Sequence, residues 1–181
     1  RSDRSGSLAL VEIHRALATD AAVAAAQLAG AADGDLAVVL PAGNGLASLD
    51  DAAIAETIGL FEGGIAVGAA TAGLGPDDGF IAALEEQLGG RPSRCHPHPG
   101  AFAGPASAVR ALLEDLASRD GTPLARLLEA FGDGTHDLVL DIAGQVVRVL
   151  DGTGTDVVAV DGGLDRKSTR LNSSHANISY A

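Results

Sequence analysis

The sequence predicts an α/β domain: a mixed, mainly parallel sheet with helices on both faces and a cluster of strands at its C-terminal end. Three observations predict it. Helical and extended signals alternate from Thr19 to Gly90, the rhythm of strands joined through covering helices. Short apolar runs such as "LAVVL" and "GGIAVGAA" have the length of buried strands. Beyond His136 the pattern changes to successive extended runs, "DLVLDIAGQVVRVL" and "TDVVAVDGG".

Taken in order, Thr19–Ala32 is Ala-rich and reads as a helix, with Thr19 or Asp20 placed to accept from its first amides. Asp33–Leu40 is a turn followed by a buried strand. "PAGNGLASL" reads as a loop, because Pro and Gly punctuate it. Ser48 and Asp50 open the next helix, in which Ile54, Ile58 and Phe61 recur at near-helical spacing. The run from Gly63 is a strand, and "GPDDGFIAALEEQLGG" is a capped helix ended by Gly89 and Gly90. A helix over Pro105–Ser118 puts Val109, Leu112, Leu113 and Leu116 on one face. Leu124, Leu127, Leu128 and Phe131 do the same in the following helix, and two extended runs then meet around Gly144.

Residues 165–181 are set apart. They hold the only lysine, Lys167, and the only tyrosine, Tyr180, among Ser and Asn, and they resemble the in-frame reading of a short-read sequencing adapter. We read 1–164 as the domain, expected to be a fragment of a longer product because it opens on Arg1, and 165–181 as a non-native tail. The whole chain carries 12 basic and 24 acidic residues, a net charge of −12. Such a surface is a poor match for a nucleic-acid backbone, whose binding depends on Lys and Arg. No apolar run reaches the ~18 residues of a membrane helix. The single cysteine, Cys95, permits no internal disulfide, and the cytoplasm is the compartment expected.

The stretch "RCHPHPGAFAGPASAVRALLEDL" from Arg94 holds Cys95, His96 and His98, side chains that zinc favours. No second CxxC or HxxxH completes four ligands, and Pro97 and Pro99 stiffen the segment, so a turn bordering a cleft is the preferred reading. His14 and His136 carry no partner pattern. "PAGNGLAS" follows a strand as phosphate-binding loops do, but has neither GKS/GKT nor GxGxxG.

From Leu8 to Leu164 the chain resembles the glycosyltransferase domain of procollagen lysyl hydroxylases and collagen galactosyltransferase-like proteins. The likeness is collinear. "GDLAVVL" and "PAGNGLASL" stand where that family has a strand followed by a metal-holding acidic pair; "GGIAVGAA" stands at its next strand. "HPHPGAFAGPASAVRALLEDL" resembles its "YLNSGGFIG" turn and helix, with Gly100, Phe102 and Gly104 matching and His98 at the asparagine. "SRDGTPLARLLEAF" and "LVLDIAGQVVRVLDG" resemble its "DDQ" helix and "LDxxxxIFQNLxG" strand. The resemblance implies a GT-A fold and transfer of a hexose from a UDP-sugar to a hydroxyl of a glycan or protein acceptor. It implies Asp120 near the reacting groups, Asn44, His98 and Gly100 bordering the substrate, and Mn²⁺ or Mg²⁺ wherever the activity is retained. At the acidic pair, however, this chain has Ala42, Gly43, Asn44 and Gly45. The expectation is therefore a transferase scaffold with a degraded metal site; the alternative is a non-catalytic module that binds a nucleotide, a glycan or a protein.

Overall fold

The computed structural model describes residues 11–42, 45–47 and 50–149. In chain order the elements are β1 (Ile13–Ala18), α1 (Ala21–Gln27), β2 (Leu36–Pro41), β3 (Gly45–Ala47), α2 (Asp51–Gly59), β4 (Ile65–Ala70), α3 (Asp78–Leu88), β5 (His96–Pro105), α4 (Ala106–Ser118), α5 (Pro123–Asp133), β6 (Leu138–Asp141) and β7 (Val147–Val149). The five-stranded sheet has the order β1-β2-β5-β4-β6. β1 and β2 pair in parallel, as do β4 and β6, whereas β5 runs antiparallel to both its neighbours. Four strands thus share one direction, and the fifth, in the middle, opposes them. β3 and β7 form a separate antiparallel pair.

Strand periodicity divides the core between the two faces. Ile65, Val67, Phe102, Leu138 and Leu140 face one side and pack with Leu28 of the turn after α1, Phe80 and Leu84 of α3, Leu113 of α4 and Leu127 of α5. Val38, Ala66, Ala101, Ala103 and Val139 face the other, against Ile54 and Ile58 of α2 and the β7 valines. Among the described residues helices cover both faces, four on one and one on the other. β7 comes close because Gly68 offers no side chain: a Cβ there would lie 2.6 Å from Ala101 Cβ and 3.3 Å from the Val147 carbonyl. The turn into β7 is built on Asp141, 3% exposed, whose carboxylate accepts from the amides of Gln145 and Val146 at 2.9 Å. Burial pushes that carboxyl above its usual range, while the backbone bonds pull the other way.

Asp20 and Asp50 cap α1 and α2 as expected, and Gly89 takes the left-handed position after α3. The structure also departs from the sequence reading. α1 stops at Gln27, short of Ala32, since only Ala24, Ala25 and Leu28 of that stretch are buried and a tight turn follows. β1 precedes it where no strand is expected, and β3 lies inside the segment read as a loop. The largest correction concerns β5. The segment expected to be a turn before α4 is a ten-residue central strand despite Pro97 and Pro99. The expected strand in "TDVVAVDGG" lies outside the described residues, as do residues 165–181. Among the described residues no helix is long and apolar enough to cross a membrane.

Candidate functional site at the carboxyl edge of the sheet

Parallel strands leave their open ends together, and crevices beyond the carboxyl ends are where α/β sheets bind ligands. Ala18 ends β1 beside Pro41 at the end of β2, and Ala70 ends β4 beside His96 at the start of β5. Between these ends β5 is irregular: Pro97 faces Ala69 and Phe102 faces Val67, so residues 98–101 stand opposite Gly68 alone. A bulge of this kind accommodates prolines, which cannot donate to a ladder, and re-aims side chains. It delivers His98 and Gly100 to the edge. A Cβ on Gly100 would lie 3.1 Å from Ala18 Cβ, so glycine lets β5 close against the end of β1.

A cavity of about 220 Å³ opens there. Its walls include Ala18, Ala21, Pro99, Leu113, Leu116 and Pro123; Asp20, His98 and Arg126 are its charged or titratable members. His98 is 8% exposed. The backbone N–H of Gly100 donates to its Nδ1 at 3.1 Å, which requires that nitrogen to be unprotonated and puts the proton on Nε2. Burial holds the imidazole pKa below its ordinary value, so the ring is a neutral donor at pH 7. Nε2–H has no partner among the described residues. Arg126, in the first turns of α5, donates from Nε to the Gly121 carbonyl at 2.9 Å and from Nη1 to the Leu116 carbonyl at 3.2 Å. It faces no carboxylate among the described residues. Asp20 uses one oxygen on the Val23 amide at the start of α1.

Of the residues expected from the sequence, His98 and Gly100 meet in this cavity. Asn44 lies outside the described residues; β2, which leads toward it, ends beside Ala18. Asp120 is exposed between α4 and α5 and is not among the lining residues. Sequence reasoning misses Arg126, and the neighbouring residues explain why. Glu129 stands three residues on as an apparent helical partner, but reaches Arg119 instead at 3.7 Å.

Cys95, His96 and His98 do not converge. Cys95 is buried at 2% exposure, and His96 Nδ1 meets Asp77 Oδ2 at 2.7 Å with Arg91 Nη2 at 3.4 Å from its Nε2. The one trio of ligand-type side chains among the described residues is Glu12, His14 and Asp35, whose ligand atoms lie within 4.8 Å of one another. It sits where β1 and β2 begin, at the opposite edge from the cavity. His14 is thus not isolated: its Nε2 bonds Asp35 Oδ2 at 2.9 Å, and His136 likewise meets Asp115 at 3.0 Å. At the cavity itself a divalent ion finds a poor fit, with Asp20 the sole lining carboxylate among the described residues and half of it engaged in capping. Comparison with known proteins returned no matching family model, no matching curated protein and no matching solved structure.

Proposed function

We propose that this domain is a glycosyltransferase-like module that binds a UDP-sugar at the carboxyl edge of its sheet and passes the hexose to a hydroxyl of a glycan or protein acceptor. The observation that carries the reading is the cavity between the β1–α1 turn and the β5 bulge. Its largely apolar walls hold a buried donor and a guanidinium, the one without a hydrogen-bond partner and the other without an ion pair among the described residues, with Asp20 the carboxylate on the same wall. An unsatisfied buried donor costs free energy, and a ligand acceptor relieves that cost. The reading also draws on the coarse architecture, a mixed sheet with one inserted antiparallel strand among the described residues.

Size divides the ligand. A space of about 220 Å³ is below the ~300–1,000 Å³ of sites that enclose drug-sized molecules, so it suits the nucleoside and leaves the sugar along the open edge. In this reading Leu113, Leu116 and His98, which line the cavity, take the nucleoside end: the two leucines would flank the base and His98 Nε2–H would donate to a base carbonyl. The second reading, a non-catalytic binding module, is favoured by two features: residues 41–47 contain no acid, and Asp120 lies outside the cavity lining. Titration calorimetry with uridine, UDP and UDP-hexoses tests both. Micromolar binding of UDP supports the site. UDP release in the presence of hydroxylated acceptors distinguishes the transferase from the module, and the absence of binding by any of these ligands refutes both nucleotide readings.

A further inference from the structure

We infer, on the strength of the nucleotide-sugar reading above, that the positive charge a nucleoside diphosphate requires in this cavity is supplied by the Arg126 guanidinium in place of a divalent cation. In the transfer, the acceptor oxygen bonds to the anomeric carbon and the acceptor proton passes to water. The bond from that carbon to the β-phosphate oxygen breaks, and its electron pair leaves on the diphosphate. The charge gathered there needs a counter-charge fixed in advance, and an Arg, a Lys or a metal ion can each supply it in phosphate chemistry. Among the described residues, metal is the option this cavity handles badly. β2 ends on Pro41, the sequence that follows it, Ala42-Gly43-Asn44, contains no acid, and the trio of ligand-type side chains found among the described residues stands at the other edge of the sheet.

Arg126 has the attributes the metal would bring. In a chain of net charge −12, Arg15, Arg91, Arg110 and Arg119 each face a carboxylate, which spends their charge within the protein. Arg126 instead rests two of its nitrogens on neutral carbonyls, Gly121 and Leu116, which fix the plane of the fork and leave Nη2 without a partner among the described residues. A planar fork held this way is suited to phosphate oxygens. His98, buried in the same cavity with its Nε2–H unpartnered among the described residues, independently indicates that a ligand with acceptors belongs there. The first turn of α5, capped by Thr122 and entering the cavity with Pro123, adds the positive end of an eleven-residue helix.

Uridine and UDP differ by the diphosphate alone, and their comparison isolates its counter-charge. Calorimetry on the full chain is expected to give UDP affinities within about twofold in EDTA and in Mn²⁺. Arg126→Ala should weaken UDP about tenfold or more, as loss of a charge-assisted hydrogen bond does, and leave uridine unchanged. Arg126→Lys should recover part of the loss, and Arg110→Ala should have no effect. Uridine binding by Arg126→Ala also certifies its fold; should it fail, Arg126→Gln keeps amide donors for the two carbonyls and takes its place. UDP binding that requires Mn²⁺, or that survives loss of the guanidinium, overturns the assignment of Arg126 while leaving the nucleotide site standing. Wild-type protein that binds neither uridine nor UDP overturns the nucleotide-sugar reading itself, and this assignment with it.

Discussion

The backbone N–H of Gly100 donates to Nδ1 of His98 at 3.1 Å, and this one bond decides which face of the imidazole is a donor. Two substitutions separate the halves of that arrangement. An asparagine side chain sets an oxygen near the place of Nδ1 and keeps the Gly100 bond; a glutamine side chain sets an amide donor near the place of Nε2 and keeps the contact to the cavity. His98→Asn is therefore expected to keep most of the stability and lose roughly fivefold to tenfold in uridine affinity, the worth of one hydrogen bond. His98→Gln should do the reverse, losing about 1 kcal/mol in urea denaturation while binding uridine more nearly as wild type. Equal effects of both substitutions on both measurements would remove His98 as the cavity donor.

The same residue sets a pH dependence. The imidazole titrates near 6.5 in the unfolded chain and below that in the folded one, because burial disfavours its charged form. Between those two values the unfolded state holds a proton that the folded state does not, so stability rises with pH across the window. It is fully present above about pH 6.5 and is lost as the pH falls toward the folded value. Thermal unfolding midpoints of wild type should decline below this point more steeply than those of His98→Asn. Parallel curves for the two proteins would show that His98 is not buried as a neutral ring.

How far the sequence led depended on which force shaped each element. α2 through α5 were legible because local signals made them: Asp50 as a cap, Pro105 at the start of α4, Gly89 at the end of α3, and apolar residues recurring on one face. β5 was not, because Pro97, Pro99 and Gly100 carry turn chemistry and become strand only through pairing with β2 and β4, with the bulge absorbing the prolines. β1 was hidden for a different reason: as an edge strand it exposes Arg15 and Leu17 and has no clean alternation. At the site, His98 and Gly100 stood out as residue types, whereas Arg126 is one helical arginine among several until tertiary structure separates it from Glu129.

Gly68 is expected to be the least replaceable glycine of the sheet. Its Cβ position falls 2.6 Å from Ala101 Cβ, on a neighbouring strand that cannot swing aside as a flexible side chain would. Gly68→Ala must push the β5 bulge or β7 outward, at a cost of about 1–3 kcal/mol for overpacking. Chemical denaturation measures the cost. Because the bulge also presents His98, uridine affinity should fall with it, whereas Gly90→Ala, with open space around its Cβ position, should leave that affinity unaltered. A Gly68→Ala protein as stable as wild type would contradict the packing of β7 against β4.

Asp77 offers a sharper test of what its carboxylate does. By sequence it opens a capped helix, yet it makes no side-chain cap bond to α3; its Oδ2 goes to His96 Nδ1 at 2.7 Å, with both side chains largely shielded. A cap role and a pairing role predict opposite results for Asp77→Ser. Serine is a good N-cap, so a capping aspartate would be replaced at little cost. Serine is too short to hold His96, so a pairing aspartate would cost about 1–3 kcal/mol and leave the imidazole unpartnered on that side. We expect the larger loss in urea denaturation, and a double-mutant cycle with His96→Gln should give a coupling of the same order. Near-wild-type stability for Asp77→Ser, or additive effects in the cycle, would assign Asp77 to the helix end and dissolve the pair.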